Sequence, residues 1–236
     1  MSSIASLRNH LLQSLSAAEL EELRPHLEPI ELVREAVLVE AGAPLTHVYL
    51  PHSGVISLVV SLSTGETVEV AMVGRDSVFG AAASFGGRIS LTDAVVMLPG
   101  SASLLPVADF RAAADRSVAF RTQLVRHEEA LFAQAQQAAA CNASHPVEAR
   151  LSRWLLRARD LSDSESLPLT QEFMAQMIGV QRNAVSVVAH AMQQAGIIRY
   201  SRGDLEIRDL AALRATSCEC YAAVKTQYDR LLKPSN

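Results

Sequence analysis

An α+β chain is predicted, with its strands gathered in the first half and its helices in the second. Three observations carry this. Residues 30–105 form short β-rich runs separated by turn residues, residues 118–141 contain neither glycine nor proline, and residues 169–208 read as helix, glycine turn, helix and hairpin. Many short strands at near-regular spacing point to a small antiparallel barrel or jelly roll.

With 236 residues, 49% of them hydrophobic, the chain can bury a core in each of two modest domains. Residues 1–15 have neither a cationic start nor a continuous apolar block, and no run approaches the roughly 18 apolar residues of a membrane span. The expectation is a cytoplasmic protein with no membrane partner. Cys141, Cys218 and Cys220 are an odd count, which argues for reduced thiols rather than disulfides. The net charge of -4 argues against a surface coated for polyanions, yet residues 173–203 contain no Asp, Glu or Lys and carry Arg182, Arg199 and Arg202. A local cationic surface without carboxylates suits phosphate contact.

In chain order, Ser16 is expected to cap a short helix over residues 17–23. The β runs are residues 36–39, 46–50, 55–60, 67–73 and 94–98, separated by Gly42, residues 51–54, Thr64-Gly65, Gly74 and Pro99-Gly100. From about Pro106 the texture becomes helical. Between residues 118 and 141, apolar residues recur at sevenfold spacing in two adjacent rows: Leu124, Leu131, Ala138 and Val118, Val125, Phe132. Such a helix spans about 36 Å at roughly 1.5 Å per residue, more than one small barrel covers. A partner helix would bury the stripe, so these six residues are the dimerisation candidates. Residues 142–146 interrupt the helix at Pro146, which marks the boundary and can open a new helix at Val147, running to about Arg159 before a polar loop at 160–166. The chain therefore divides into 1–116 (barrel), 117–143 (dimerisation helix and hinge) and 144–236 (the carboxy-terminal domain).

Thr170 caps the next helix, Gly179 ends it, and a second helix runs from about Gln181 or Arg182 to Ala195. A tight glycine turn makes two short helices cross steeply, leaving the second to project. Its outward side chains would be Gln181, Arg182, Asn183 and Ser186. Arg can bond guanine twice, and Asn or Gln can pair with adenine. Residues 197–207 form a hairpin, or wing, whose Arg199, Tyr200 and Arg202 could meet phosphates. The candidate DNA contacts are these seven plus Thr170 and Gln171, and the element is a winged helix-turn-helix.

Residues 169–186 and 193–198 resemble the helix-turn-helix and the helix exit of the Crp/Fnr (cyclic AMP receptor protein-like) family of bacterial transcription regulators. The first half is similar through Glu40-Ala41-Gly42, Val48-Tyr49-Leu50, Ser53-Gly54-Val55 and residues 73–80. The resemblance implies a cyclic-nucleotide-binding-like barrel, a homodimer, double-stranded DNA and RNA polymerase as partners, an unidentified small-molecule effector, and no enzymatic activity. It also implies a ligand pocket around Gly80, Ala81, Leu91 and Thr92. Two departures argue against cyclic AMP: Ala81 replaces the glutamate that holds the ribose, and Leu91 stands where an arginine neutralises the phosphate, with Arg88 as a nearby substitute. Three cysteines, none before Cys141, argue against the amino-terminal iron-sulfur cluster of Fnr proteins. Cys218-Glu219-Cys220 reads as inert thiols, and the seven histidines show no ligand spacing, so no metal is expected; the sequence requires no cofactor and identifies none. Asn183 and Val187 replace a glutamate and an arginine of the family, so the preferred DNA sequence should differ. The alternatives are a ligand- or partner-binding module without DNA binding, and a cupin-like metalloenzyme, which lacks clustered His and carboxylate ligands on its strands.

Overall fold

The structure, a computed structural model, describes residues 7–162 and 164–232. Residues 1–6, 163 and 233–236, which the expected domains and the loop at 160–166 include, lie outside the described residues. Two short helices open it, α1 (His10–Ser14) and α2 (Ala17–Leu23). Ser16 caps α2 in a capping box with Glu19, as its spacing predicts.

Seven strands follow: β1 (Glu28–Leu32), β2 (Val37–Val39), β3 (His47–Pro51), β4 (Val55–Ser61), β5 (Thr67–Val73), β6 (Asp93–Leu98) and β7 (Gly100–Pro106). They form two antiparallel sheets, ordered β1-β7-β3 and β2-β6-β4-β5. β1 and β7 were not among the expected runs. β7, with the sequence Gly-Ser-Ala-Ser-Leu-Leu-Pro, has weak strand propensity, but it is the middle strand of its sheet and is paired on both sides. Tertiary pairing outweighs propensity there.

β4 is apolar on both faces, and each face has its own neighbour. Ile56 and Leu58 pack with Leu32, Ala71, Val73 and Val96 inside the barrel. Val55 and Val59 turn the other way, into a core shared with the carboxy-terminal half.

The barrel closes on α3 (Val107–Arg116) and leads into α4 (Val118–Ser144). The helix outlasts its expected end by three residues, because Pro146 restricts only its immediate predecessor, the extended cap His145. One side of α4 is buried along its length: Phe120, Leu124 and His127 on the barrel side, then Ala130, Gln134, Ala138 and Cys141. This second group is covered by the final helix, α9 (Cys220–Leu232), through Val224 and through Tyr228, whose hydroxyl donates to Gln134 Oε1 at 2.8 Å.

Between them come α5 (Val147–Ser162), β8 (Ser166–Leu167), α6 (Gln171–Ile178), α7 (Arg182–Gln194), the wing strands β9 (Ile198–Ser201) and β10 (Asp204–Ile207), and α8 (Leu210–Thr216). α5 continues through Ser162, so the loop expected from residue 160 begins later. The wing sheet has the order β8-β10-β9.

The carboxy-terminal half docks on the outer face of the barrel. Trp154 of α5 is 1% exposed, and its Nε1–H donates to Glu69 Oε1 of β5 at 2.8 Å. Ser57 Oγ donates to the other oxygen of the same carboxylate. Arg157 pairs with Asp76 at 2.8 Å. Burial drives the Glu69 carboxyl up to about 7, against the opposing pull of Ser57, Arg153, Trp154 and Arg157.

Candidate nucleic-acid interface

The projecting helix is built from its cap outward. Thr170 Oγ1 accepts from the Phe173 N–H at 3.1 Å and starts α6. Gly179 ends it with φ 63, a left-handed conformation that glycine adopts without a Cβ penalty. A Cβ at Gly179 would also stand 2.8 Å from Val68 Cγ2 of β5, so this turn fits closely against the barrel. Gln181 then precedes α7 in an extended conformation with no side-chain bond to its amino terminus, and the helix buries Val185, Ala189 and Met192.

What remains of α7 faces solvent. Gln181, Arg182, Asn183 and Val187 are exposed, Val187 at 71%. Ser186 is half-buried, and its hydroxyl donates to Gln171 Oε1 at 2.6 Å, so these two candidates brace α6 and α7 against each other. Arg182 has a partner that the carboxylate-free window stops one residue short of including: Glu172 Oε2 lies 3.8 Å from its Nε, with both side chains exposed. Pairs this open contribute little, and a phosphate or guanine can displace the carboxylate.

The wing turns at Arg202 (φ 52) and Gly203 (φ 88), both left-handed, the geometry of a two-residue hairpin. Arg199 and Arg202 are exposed. Tyr200 is half-buried; its hydroxyl accepts from the Gln171 N–H at 3.2 Å and its own N–H donates to Gln193 Oε1 at 2.8 Å. Thr170, Gln171, Ser186 and Tyr200 thus hold the scaffold, while Gln181, Arg182, Asn183, Arg199 and Arg202 are exposed, Arg182 beside Glu172.

The amino-terminal end of α6 looks across a cleft of about 670 Å³ toward the barrel, where Glu35, Glu40 and Asp93 face Thr170 and Glu172. Carboxylates beside a helix amino terminus compete with any phosphate brought there.

The two expected dimerisation rows separate. Leu124 and Ala138 are buried at 0% and 4% within the chain, and Leu131 packs against the barrel core, so this row is taken. Val118, Val125 and Phe132 remain 79%, 42% and 65% exposed, and Ala139 extends the row.

In the barrel, Gly80 is the left-handed start of a 3-10 turn and Ala81 is fully buried behind it. Leu91 is 85% exposed, so it stands in solvent rather than lining an enclosed pocket; Thr92 is half-buried beside it.

The residue missed by sequence reasoning is His145. It joins Cys141, Cys218 and Cys220 in one cluster whose four donor atoms lie within 4.8 Å of one another. The Cys-x3-His spacing at the end of α4 puts two donors on one helix face and was the available signal.

Two protein families match the sequence: a cyclic nucleotide-binding domain over residues 29–117 and a Crp-like helix-turn-helix domain over residues 149–216. No curated protein sequence matches. Among solved structures, FixK2 from Bradyrhizobium japonicum superposes with a TM-score of 0.70 at 17% identity, covering 81% of this chain and 98% of its own. The CRP-family transcriptional regulator TTHB099 from Thermus thermophilus gives 0.66 at 20% identity, covering 80% and 96%. The c-di-GMP responsive global regulator CLP from Xanthomonas campestris gives 0.66 at 13% identity, covering 82% and 100%. At these identities the likeness is one of fold. Among the described residues, no helix is long and apolar enough to cross a membrane.

Proposed function

Because the chain belongs to the Crp/Fnr family of transcription regulators, built from a cyclic nucleotide-binding domain and a Crp-like helix-turn-helix domain, we propose that it binds a pseudo-palindromic DNA site as a homodimer. The carrying observation is the exposed start of α7, where Gln181, Arg182 and Asn183 project beside a wing bearing Arg199 and Arg202. Two such helices would enter successive major grooves about 34 Å apart. The exposed row Val118, Val125, Phe132 and Ala139 on α4 supports pairing with a second copy, since a large apolar stripe on a 27-residue helix needs cover.

Arg182 would read guanine, and Asn183 and Gln181 adenine. Val187, exposed further along the same helix, suits a thymine methyl. Arg199 and Arg202 would meet phosphates. The acidic rim opposite α6 implies that the cleft widens when DNA arrives, which gives a barrel-bound effector a means of control. RNA polymerase is the further partner expected of such a regulator.

Cyclic AMP is not the effector in this reading. Ala81 offers a buried methyl in place of a ribose-holding carboxylate, and Leu91 offers no cation for the phosphate. The decisive experiment is selection of bound fragments from genomic DNA by the purified protein, followed by gel shifts with and without cyclic AMP. An inverted repeat bound equally in both conditions is expected. Failure to enrich any motif removes the DNA-binding reading, and a cyclic AMP requirement removes the statement about the effector.

A further inference from the structure

Three cysteines and one histidine, distant in sequence, meet where the long helix ends. Cys141 comes from the last turn of α4, His145 from its cap, Cys218 from the turn between α8 and α9, and Cys220 from the first residue of α9. Cys141 Sγ and Cys218 Sγ are 3.5 Å apart, and Cys220 Sγ is 3.6 Å from His145 Nδ1. All three thiols are buried.

We propose that these four side chains form a mononuclear zinc site of the Cys3His type. With a zinc–sulfur bond of about 2.3 Å, the donors of a tetrahedron lie about 3.8 Å apart, close to the separations in place. An iron-sulfur cluster holds its ligands around a larger body, so four donors within 4.8 Å fit a single ion better.

The surroundings match such a site beyond its ligands. His145 presents Nδ1 to the cluster while Nε2 lies 3.3 Å from Glu219 Oε1, so the carboxylate would fix the ring and its tautomer as in other zinc-bound histidines. Gln137 Nε2 donates to Cys220 Sγ at 3.0 Å. Three thiolates and one neutral imidazole around a dication leave one net negative charge. Arg150 and Arg153 of α5, both almost fully buried, bring positive charge beside Cys141 to offset it. Packed, inert thiols would need neither the histidine aimed at them nor its carboxylate.

The ion would fasten α9 to the end of α4, next to the His145-Pro146 junction where the chain passes into α5. Its occupancy would therefore set how firmly the carboxy-terminal half is held to the long helix.

The test uses the full chain purified under reductant. Elemental analysis should find one zinc per chain, and cobalt(II) added to chelator-stripped protein should give the intense visible bands of a tetrahedral thiolate site, displaced by zinc. Zinc should raise the melting temperature by roughly 5 °C or more. Cys218→Ser should abolish the cobalt bands. Should that variant fold poorly, Glu219→Gln, which keeps every ligand, should weaken zinc binding by about 10-fold or more. Metal-free protein that takes up neither ion, cobalt bound without thiolate bands, iron accompanied by sulfide, or a Cys141–Cys218 disulfide under these conditions would each overturn the assignment.

Discussion

The carboxy-terminal half has two working faces of opposite construction. On one, Arg182, Asn183 and Arg202 stand in solvent on a frame of capped helices and a hairpin. On the other, Trp154 is buried against the barrel, bonded to Glu69 of β5, which Ser57 of β4 also holds. The first face is built to exchange its water and weak ion pairs for a ligand; the second has already made its exchange, at the cost of burying a carboxylate. Substitutions on the exposed face should therefore change binding and leave stability alone, and substitutions on the docked face should do the reverse.

The largest expected effect is at Trp154. Trp154→Ala removes a fully buried ring and the indole donor to Glu69 Oε1, which should cost about 3 to 5 kcal/mol in urea unfolding. A loss below about 1 kcal/mol would mean that the docking is weak. Next comes the pH dependence. The Glu69 carboxyl is raised from 4.5 to about 7, so docking is strongest below pH 4.5, where the group is protonated in either state, and weakens as pH rises through 7. The span is on the order of 3 kcal/mol. Trp154 is the only tryptophan, so its fluorescence reports this contact directly. Glu69→Gln should flatten the profile while keeping an acceptor for the indole.

On the exposed side, Phe132→Asp should shift the protein to monomer in sedimentation and make its melting temperature independent of protein concentration, with no cost to the core of the single chain, where Phe132 is 65% exposed. Arg182→Ala should cost ~1 to 3 kcal/mol per half-site and relax preference at one base pair. Equal loss on every sequence would reassign it to phosphate contact. Smallest is Arg202→Ala, which should lower the salt slope of binding by about 1 per half-site with the preferred site unchanged.

The same contrast explains what could be read from the chain beforehand. Thr170, Gly179, Gly196 and Gly203 carry local backbone chemistry, and each stands in the structure where its residue type demands. The row Leu124, Leu131 and Ala138 misled because periodicity reveals that a face is apolar, not what covers it; here the barrel and α9 do. β7 was illegible because its order comes from partners on both sides. The docking face was hidden for a related reason. Nothing around Glu69 in sequence announces that Trp154, 85 positions later, will bond to it. His145 was overlooked because its companions Cys218 and Cys220 lie more than 70 positions away and only the return of α9 unites them.

The exposed row on α4 tapers. It begins with branched and aromatic side chains at Val118, Val125 and Phe132 and finishes in alanines at 139, 140 and 143. Two copies aligned along it would be wedged apart near the barrels and could come almost backbone to backbone near the hinge. In the proposed dimer, a slight rocking over Phe132, as over a fulcrum, would then swing the far ends through a longer arc, so that modest rearrangements at the barrel would become large changes in the spacing of two α7 helices.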